Sequence, residues 1–301
     1  MDWLKRMNGA LDYIEDNLAG EIDYNTAAGI ACCSVYHFQR MFSYMVDIPL
    51  SEYIRRRRLT LAAFELQTRS IKILDLALKY GYDSPEAFTR AYQKLHGVAP
   101  SLSRQKGISL KSYPRLSFHI TLKGAEEMNY RMIEKEAFAV FGVEEFFPDE
   151  NEDKQTGIPD MWRRCMQDGT IGRIGKAAGR KQAWSGPGLK PVYGAFGYPE
   201  EGQGSPGTPY LICADMPESG LKAEDPYAVV EIPAQTWAVF TSAEHLQEKS
   251  VDSTQDLWKR IYTEWFPMSS YEPLSGPLFE KFGIAESGLS YCEIWVPVRH
   301  I

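Results

Sequence analysis

Three alternating residues near the C-terminus have types that could bind a charged ligand. Tyr291, Glu293 and Trp295 lie two apart in a strand-like run, which puts their side chains on one face. A carboxylate between two aromatic rings attracts a lipophilic cation through its charge and through the ring faces. The alternative is an edge strand whose acid points into water.

Aromatic residues are abundant in the same half of the chain, and several could line a cleft around this acid. An aromatic cleft with one fixed anion favours a bulky, lipophilic cation. The predicted ligand-binding set consists of Glu293, Tyr291, Trp295, Trp237, Trp162 and Tyr193.

Polar residues near the N-terminus have the types that read DNA bases. Gln39 suits a bidentate contact to adenine, and Arg40 suits guanine or phosphate. Glu86 accepts a hydrogen bond only from cytosine and repels phosphate, which predicts weaker base reading by the second helix. The outward positions of the two predicted reading helices are Tyr36, Gln39, Arg40 and Ser43, then Glu86, Thr89, Arg90 and Gln93.

The helices that would carry these residues form an internal repeat. At a spacing of fifty residues Ser34 recurs as Ser84 and Arg40 as Arg90. A fixed-period echo indicates one supersecondary unit used twice. Each copy predicts a short helix, a tight turn and a second helix capped by serine. This pattern is typical of a helix-turn-helix, whose second helix enters the major groove.

A connecting helix is predicted over residues 50–67, with four consecutive arginines at 55–58. Such a run points in all directions around a helix. It is either a solvated surface or a set of phosphate contacts, for which Arg55 and Arg57 are the predicted residues. A helix of this length spans roughly 25 Å and can hold two reading helices about 34 Å apart, one turn of B-DNA.

A second repeat follows a predicted linker at 108–127. Residues 138–141 recur as 237–240, and residues 160–164 recur as 256–260. The implied unit is strand, helix, strand, strand (βαββ), used twice about a pseudo-two-fold axis, with a cleft where the halves meet. The expected fold is multidomain: an all-α double helix-turn-helix domain over 1–107 and an α+β domain over 128–301.

Composition bounds the class of protein. The chain has 301 residues, no apolar run long enough for a membrane span, and five cysteines without a disulfide framework, which predicts a reducing cytoplasm. Its net charge of −7 divides into +2 for residues 1–107 and −9 for 108–301, so the acidic total does not exclude DNA binding.

Several classes of chemistry lack a signal. The sequence has no metal-ligand spacing, nucleophile elbow or paired catalytic carboxylates, so no metal, cofactor or catalytic residue is predicted, and the protein is expected not to be an enzyme. His37 and His96 are predicted to lie on helix surfaces. The basic, glycine-rich run at 172–181 is predicted to be a solvated loop.

The N-terminal third resembles the DNA-binding domain of the AraC/XylS family of transcriptional regulators. The resemblance rests on residues 13–18, 37–42, 53–55, 77–82, 88–90 and 97–100. It implies a monomeric module whose two reading helices enter adjacent major grooves. By position, the base or backbone readers are Tyr36, Gln39 and Arg40 in the first helix, and Glu86, Thr89 and Arg90 in the second.

Residues 128–298 resemble the GyrI-like effector-binding domain, through 231–240, 257–267, 276–280 and 293–297. In that family the acid of the final strand lies in the ligand cleft, which by position is Glu293. The resemblance implies a regulator whose partners are double-stranded promoter DNA, a small-molecule effector such as a lipophilic cation, and RNA polymerase, with no membrane partner. Two alternatives stay open: a GyrI-like hydrolase, and a sequestering or protein-binding module with a DNA-binding domain attached.

Overall fold

The computed structural model describes residues 2–105, 107–119, 127–147, 153–179, 188–198, 208–217, 219–221 and 226–301. The chain divides into two compact units, Met1–His119 and Ile120–Ile301. Each unit has its own hydrophobic core. Residues 120–126 of the predicted linker lie outside the described residues. In the described part of the chain, no helix is long and apolar enough to cross a bilayer.

The first unit is helical and contains the predicted repeat. Its helices are α1 (Asp2–Asp16), α2 (Tyr24–Ile30), α3 (Val35–Val46), α4 (Leu50–Thr68), α5 (Ile73–Lys79) and α6 (Pro85–His96). The serine caps are confirmed: the Ser34 hydroxyl accepts from the His37 N–H at 3.2 Å, and that of Ser84 from the Ala87 N–H at 3.1 Å. Gly81 lies in the turn just after α5 with a φ of 75°, a conformation that glycine adopts without strain.

Large apolar residues of both repeats fill the cores of this unit. Phe38 and Phe42 of α3, and Phe88 and Tyr92 of α6, are fully buried. The two histidines do not lie on helix surfaces, and this prediction was wrong. His37 is 2% exposed and His96 is 5% exposed, since both sit on the inward stripes of their helices. Burial lowers the pKa of His37 to about 4, so the ring stays neutral at physiological pH.

An ion pair between α1 and α4 lies inside the first unit. Arg57 donates two hydrogen bonds to the Glu15 carboxylate, at 2.8 and 2.7 Å, and a third to the Tyr113 carbonyl at 2.6 Å. The Tyr53 hydroxyl donates to Glu15 at 2.6 Å and accepts from the Leu116 N–H at 3.1 Å. Burial alone would raise the Glu15 pKa, but hydrogen bonds from Arg57 and Tyr53 outweigh it and lower this pKa. Residues 108–119 are thereby tied to the helices of the first unit.

The second unit is built on one nine-stranded sheet. Its strands are β1 (Asn129–Lys135), β2 (Phe138–Phe147), β3 (Tyr193–Phe196), β4 (Thr208–Asp215), β5 (Ala228–Ile232), β6 (Gln235–Thr241), β7 (Tyr271–Pro273), β8 (Leu278–Ile284) and β9 (Ser290–His300). The order is β1-β6-β9-β8-β3-β4-β2-β5, with β7 beside β9. This order is symmetric about the β8–β3 junction, which confirms the duplicated βαββ unit. In addition, β1 and β5 each pair with a strand of the opposite half.

Three helices cover one face of this sheet, the outer face. They are α7 (Asp153–Gln167), α8 (Thr170–Ala178) and α9 (Ser250–Arg260), which contact β2, β4 and β9 respectively. The run at 172–181 is not a solvated loop over its described part: residues 172–178 belong to α8, whose fully buried Ile174 packs towards the sheet, and residues 180–181 lie outside the described residues. The opposite face, the inner face, is curled: the rings of Phe138 and Phe279 approach to 6.1 Å although two strands separate β2 from β8.

The ion pair inside the first unit generates a stability prediction. Arg57→Met should lower the free energy of unfolding of this unit by about 3–5 kcal/mol, because it leaves the Glu15 carboxylate buried without its partner. Arg55→Met is the matched control. Arg55 pairs with Glu52 on the surface of the same helix, where a pair contributes roughly 1 kcal/mol or less. Urea unfolding of the full chain, followed by helical circular dichroism, measures both. Equal losses of unfolding free energy in the two variants would contradict a structural role for the buried Arg57–Glu15 pair.

Candidate effector site and DNA interface

The final strand lies in the interior of the sheet. β9 pairs with β6 on one side and with β8 on the other, so the edge-strand alternative is wrong. Trp295 belongs to the core cluster of the inner face, and alternation puts Tyr291 and Glu293 on that face as well. Glu293 is 3% exposed. The strand therefore places a carboxylate between two aromatic residues within the curled sheet.

Glu293 has partners in the structure. Arg131 of β1 donates to both carboxylate oxygens, at 2.9 and 3.0 Å, and the Trp295 indole N–H donates at 3.0 Å. The Arg131 side chain is 41% exposed and that of Glu293 is 4% exposed, so the pair runs from the surface to the interior.

A lysine ammonium lies among the aromatic rings of the inner face. The Nζ atom of Lys281 is 3.8 Å from the ring centroid of Tyr193, 4.8 Å from that of Trp295 and 5.6 Å from that of Phe279. We call these three rings the aromatic cage. Lys281 is 3% exposed and sits on β8 directly opposite Glu293. Rings at these distances attract a cation through their quadrupoles.

Burial perturbs the two lysines of this face. The pKa of Lys281 falls to about 7 because of burial, with Asp215 opposing the shift and the neighbouring Lys135 acting in the same direction as burial. Burial also lowers the pKa of Lys135 to about 8, and its Nζ lies 3.6 Å from the Phe138 ring centroid. Both amines therefore titrate closer to physiological pH than an exposed lysine does.

Three other predicted ligand-binding residues occupy different places. Tyr193 is a wall of the cage and donates its hydroxyl to Asp215 at 2.7 Å. Trp237 is fully buried beneath the cage and stacks on Phe279 at 4.9 Å. Trp162 does not join them, and its assignment is corrected: α7 packs on the outer face, where its indole N–H donates to the Tyr210 hydroxyl at 2.9 Å.

The first reading helix, α3, carries a braced arginine. The Arg40 guanidinium donates to the Tyr36 hydroxyl at 2.7 Å and to the Tyr44 hydroxyl at 2.9 Å. The central carbon of the guanidinium, Cζ, lies 5.3 Å from the Tyr44 ring centroid. Gln39 is half-buried. Its backbone carbonyl accepts a hydrogen bond from the Ser43 hydroxyl at 3.0 Å. The two tyrosines fix the direction of the guanidinium on the helix surface.

The second reading helix, α6, presents a more open surface. Glu86, Arg90 and Gln93 are exposed, and Thr89 is half-buried. Pro85 occupies the first turn and Gly97 ends the helix with a φ of 79°. These four side chains share the face opposite the buried Phe88 and Tyr92, so α6 can present them to a groove together.

All four arginines of α4 form hydrogen bonds or ion pairs within the first unit, which the sequence alone does not predict. Arg57 points inward to Glu15 and is 8% exposed, which removes it from the predicted phosphate contacts. Arg58 donates to backbone carbonyls of the segment after α1. Arg55 and Arg56 both pair with Glu52 and are 33% and 29% exposed. Of the two predicted phosphate contacts, Arg55 alone is placed on the surface.

Both units match known families. The model of the integron-associated effector-binding proteins, Cass2, matches residues 131–298, more than half of the chain, and a helix-turn-helix domain model matches residues 27–106. The transcriptional activator AarP of Providencia stuartii is 42% identical over 94 residues, 31% of this chain and 70% of AarP. The probable transcription factor PqrA of Proteus vulgaris is 37% identical over 103 residues, 34% of this chain and 84% of PqrA.

A solved structure is similar to part of the chain. The structure of SAV2435 bound to tetraphenylphosphonium is 19% identical and covers 57% of this chain and 94% of that chain, with a TM-score of 0.44. Together with the residues of the double helix-turn-helix, the family matches decide the identity of the chain. It belongs to the AraC-type DNA-binding transcriptional regulators. The second unit of this regulator is a GyrI-like effector-binding domain of the Cass2 family.

Sequence reasoning missed three residues of the effector-binding domain. Arg131, Lys135 and Lys281 all reach the inner face. The alternation of Phe279 and Lys281 in one strand could have placed this lysine on an aromatic face. No local pattern could have placed Arg131 beside Glu293, because β1 reaches that position by pairing with a strand of the other half.

The exposed end of the Arg131–Glu293 pair generates a prediction about this regulator. Arg131→Met should destabilise the second unit by about 1–3 kcal/mol, because it strands a buried carboxylate. Glu293→Gln should cost less, since water can solvate the half-exposed Arg131. Denaturant unfolding followed by tryptophan fluorescence measures the second unit, because six of the seven tryptophans lie beyond residue 119. A larger loss of stability for Glu293→Gln than for Arg131→Met would contradict a pair with a buried carboxylate and a solvated guanidinium.

Proposed function

We propose that this regulator is controlled by a small, lipophilic cation bound at the inner face of its second unit. In this proposal residues 1–107 read promoter DNA in the cytoplasm, residues 128–301 bind the effector and residues 108–127 connect the two. The chain acts by binding and not by turnover, and RNA polymerase is its further partner at the promoter.

One observation carries the choice of a cation. The aromatic cage already holds an ammonium group, that of Lys281, at ring distances of 3.8 to 5.6 Å. The Glu293 carboxylate lies opposite, on the neighbouring strand. The rings supply a large apolar area and a favourable quadrupole for a cation, and the carboxylate supplies counter-charge.

A pair of isosteric ions tests the proposed effector class. Tetraphenylphosphonium has a fixed positive charge, and tetraphenylborate has nearly the same shape with a negative charge. The full chain at pH 8 should bind the phosphonium more tightly, as measured by isothermal titration calorimetry. Glu293→Gln keeps the shape of the side chain and should weaken phosphonium binding by at least about tenfold, roughly 1.4 kcal/mol.

Glu272→Gln is the matched control for this experiment. Glu272 is also a buried carboxylate, 6% exposed, and it pairs with the half-exposed Arg299 instead of Arg131. It should leave phosphonium affinity within about twofold. Preferred binding of the borate, or equal effects of the two substitutions, would overturn the proposed effector site.

For DNA we propose that α3 reads bases and that α6 contacts the adjacent groove. The proposal rests on the outward set of α3, in which Gln39 and the braced Arg40 offer the two bidentate contacts of the major groove. On α6, Arg90 is exposed and Glu86 stands near the start of the helix. The carboxylate of Glu86 limits its reading to cytosine and repels phosphate. Base changes under α3 are therefore proposed to matter more than those under α6.

A substitution in α3 tests this assignment. Gln39→Ala and Arg40→Ala should each weaken specific binding by about 1–3 kcal/mol and should leave non-specific binding much less affected. The control is Gln67→Ala, an exposed glutamine at the far end of α4. Fluorescence anisotropy on specific and scrambled duplexes, at fixed salt concentration, gives both affinities. Full specific affinity in the two α3 variants would move the reading surface elsewhere.

A further inference from the structure

The aromatic cage is occupied by the chain itself. Lys281 projects from β8 and places its Nζ among the Tyr193, Trp295 and Phe279 rings. With 3% of the residue exposed, the ammonium has little contact with water. A cationic ligand that uses these rings therefore competes with a cation that is covalently attached to the site.

Charges of both signs surround Lys281. Burial and the neighbouring Lys135 lower its pKa, whereas Asp215 and Glu293 raise it. Asp215 also accepts a hydrogen bond from Tyr193, and Glu293 is paired with Arg131. The titratable groups that face Lys281 are Tyr193 on β3, Cys213 and Asp215 on β4, Lys135 on β1 and Glu293 on β9, with Arg131 behind Glu293.

Tyr193 and Cys213 do not add counter-charge near neutral pH. Burial raises the pKa of the Tyr193 hydroxyl and of the Cys213 thiol well above their usual values, so both groups stay neutral. A monocation placed in the cage would stand a few ångströms from the Lys281 ammonium. Like charges at such distances in a water-poor interior repel strongly.

We propose that Lys281 is a specificity-determining internal competitor, and that a cationic effector enters the aromatic cage as Lys281 gives up its proton. The proton passes to the solvent buffer, so the total charge of the site is unchanged when a monocation binds. The neutral amine no longer needs the rings and leaves them to the ligand. This inference rests on the proposed function, because it concerns the same cation site.

The perturbed amine makes this exchange accessible. Since the pKa of Lys281 is about 7, roughly half of the amine is already neutral at pH 7. Protonated Lys281 excludes the cation, so cation affinity should rise as pH rises through this pKa and should level off above it. An anionic ligand of the same shape should show the opposite trend, because it gains from the ammonium.

Calorimetry on the full chain tests the proposal. Tetraphenylphosphonium should bind about tenfold more tightly at pH 8 than at pH 6, as a single competing proton with a pKa near 7 requires. The phosphonium itself does not titrate. Titrations at pH 6 in two buffers of different ionisation enthalpy should show the release of nearly one proton per ligand bound. These measurements on the unmodified chain need no variant to fold.

Three substitutions sharpen the test. Lys281→Met keeps the apolar stem and should bind phosphonium at pH 6 as tightly as the unmodified chain does at pH 8. Lys281→Arg keeps a permanent cation and should weaken phosphonium binding at least about tenfold at both pH values. Lys190→Met, at an exposed position before β3, is the control and should retain the pH dependence.

The outcomes separate this inference from the proposed function. Equal phosphonium affinity at pH 6 and pH 8 without proton release would overturn the role of Lys281 and leave the cation site standing. A pH dependence that persists in Lys281→Met would assign the proton to another group and would also overturn it. Failure of the unmodified chain and of Lys281→Met to bind phosphonium at either pH would defeat the proposed effector class and this inference together.

Discussion

The cost of removing a charge from water is the constraint on which both units depend. A carboxylate, ammonium or guanidinium that enters a protein interior must recover several kcal/mol from partners within the fold. In the first unit, Glu15 recovers this cost from Arg57. In the second unit, Glu293 recovers it from Arg131, while Lys281 lies among aromatic rings and has a lowered pKa because of its burial. The ion pairs and the ring-bound ammonium have different consequences for the protein. A bidentate pair fixes helices in place, whereas a ring-bound ammonium near its pKa can change its charge with little loss.

The duplication of the βαββ unit makes the placement of these charges more informative. In the second half, the register pairs Thr241 with Glu293. Gly142 is the counterpart of Thr241 in the first half, ninety-nine residues earlier, and the register pairs it with Cys213. The pseudo-symmetric position of Glu293 is thus held by a neutral, fully buried thiol. Two copies of one fold carry an acid in one half and a small neutral group in the other. The duplicated fold by itself therefore does not require an acid at this position.

Local features of the sequence predicted much of this fold. The serine caps at Ser34 and Ser84 and the alternation around Glu293 depend on neighbouring residues alone, and the structure contains them. Features that depend on residues far apart in the sequence could not be predicted from local patterns. Whether Arg57 faces DNA or the protein depends on Glu15, forty-two residues away, and the face taken by Trp162 depends on how α7 packs. The spacing of residues identifies helices, strands and their faces. Which residue each face contacts depends on how these elements pack together in three dimensions.

The same physical motif, a cation held by aromatic side chains, occurs in both units and acts in opposite ways. On α3, Tyr36 and Tyr44 brace Arg40 at the surface, so in the proposed DNA contact the guanidinium would lose less conformational entropy. Bracing there would prepare the group for its proposed partner. In the second unit, the rings hold Lys281 in the interior, at the place that we propose for the ligand. The rings that stabilise the unliganded domain are those that a cation would contact, so stability without ligand and affinity for ligand oppose each other. A lysine, unlike arginine, can resolve this opposition because it can lose its charge at accessible pH.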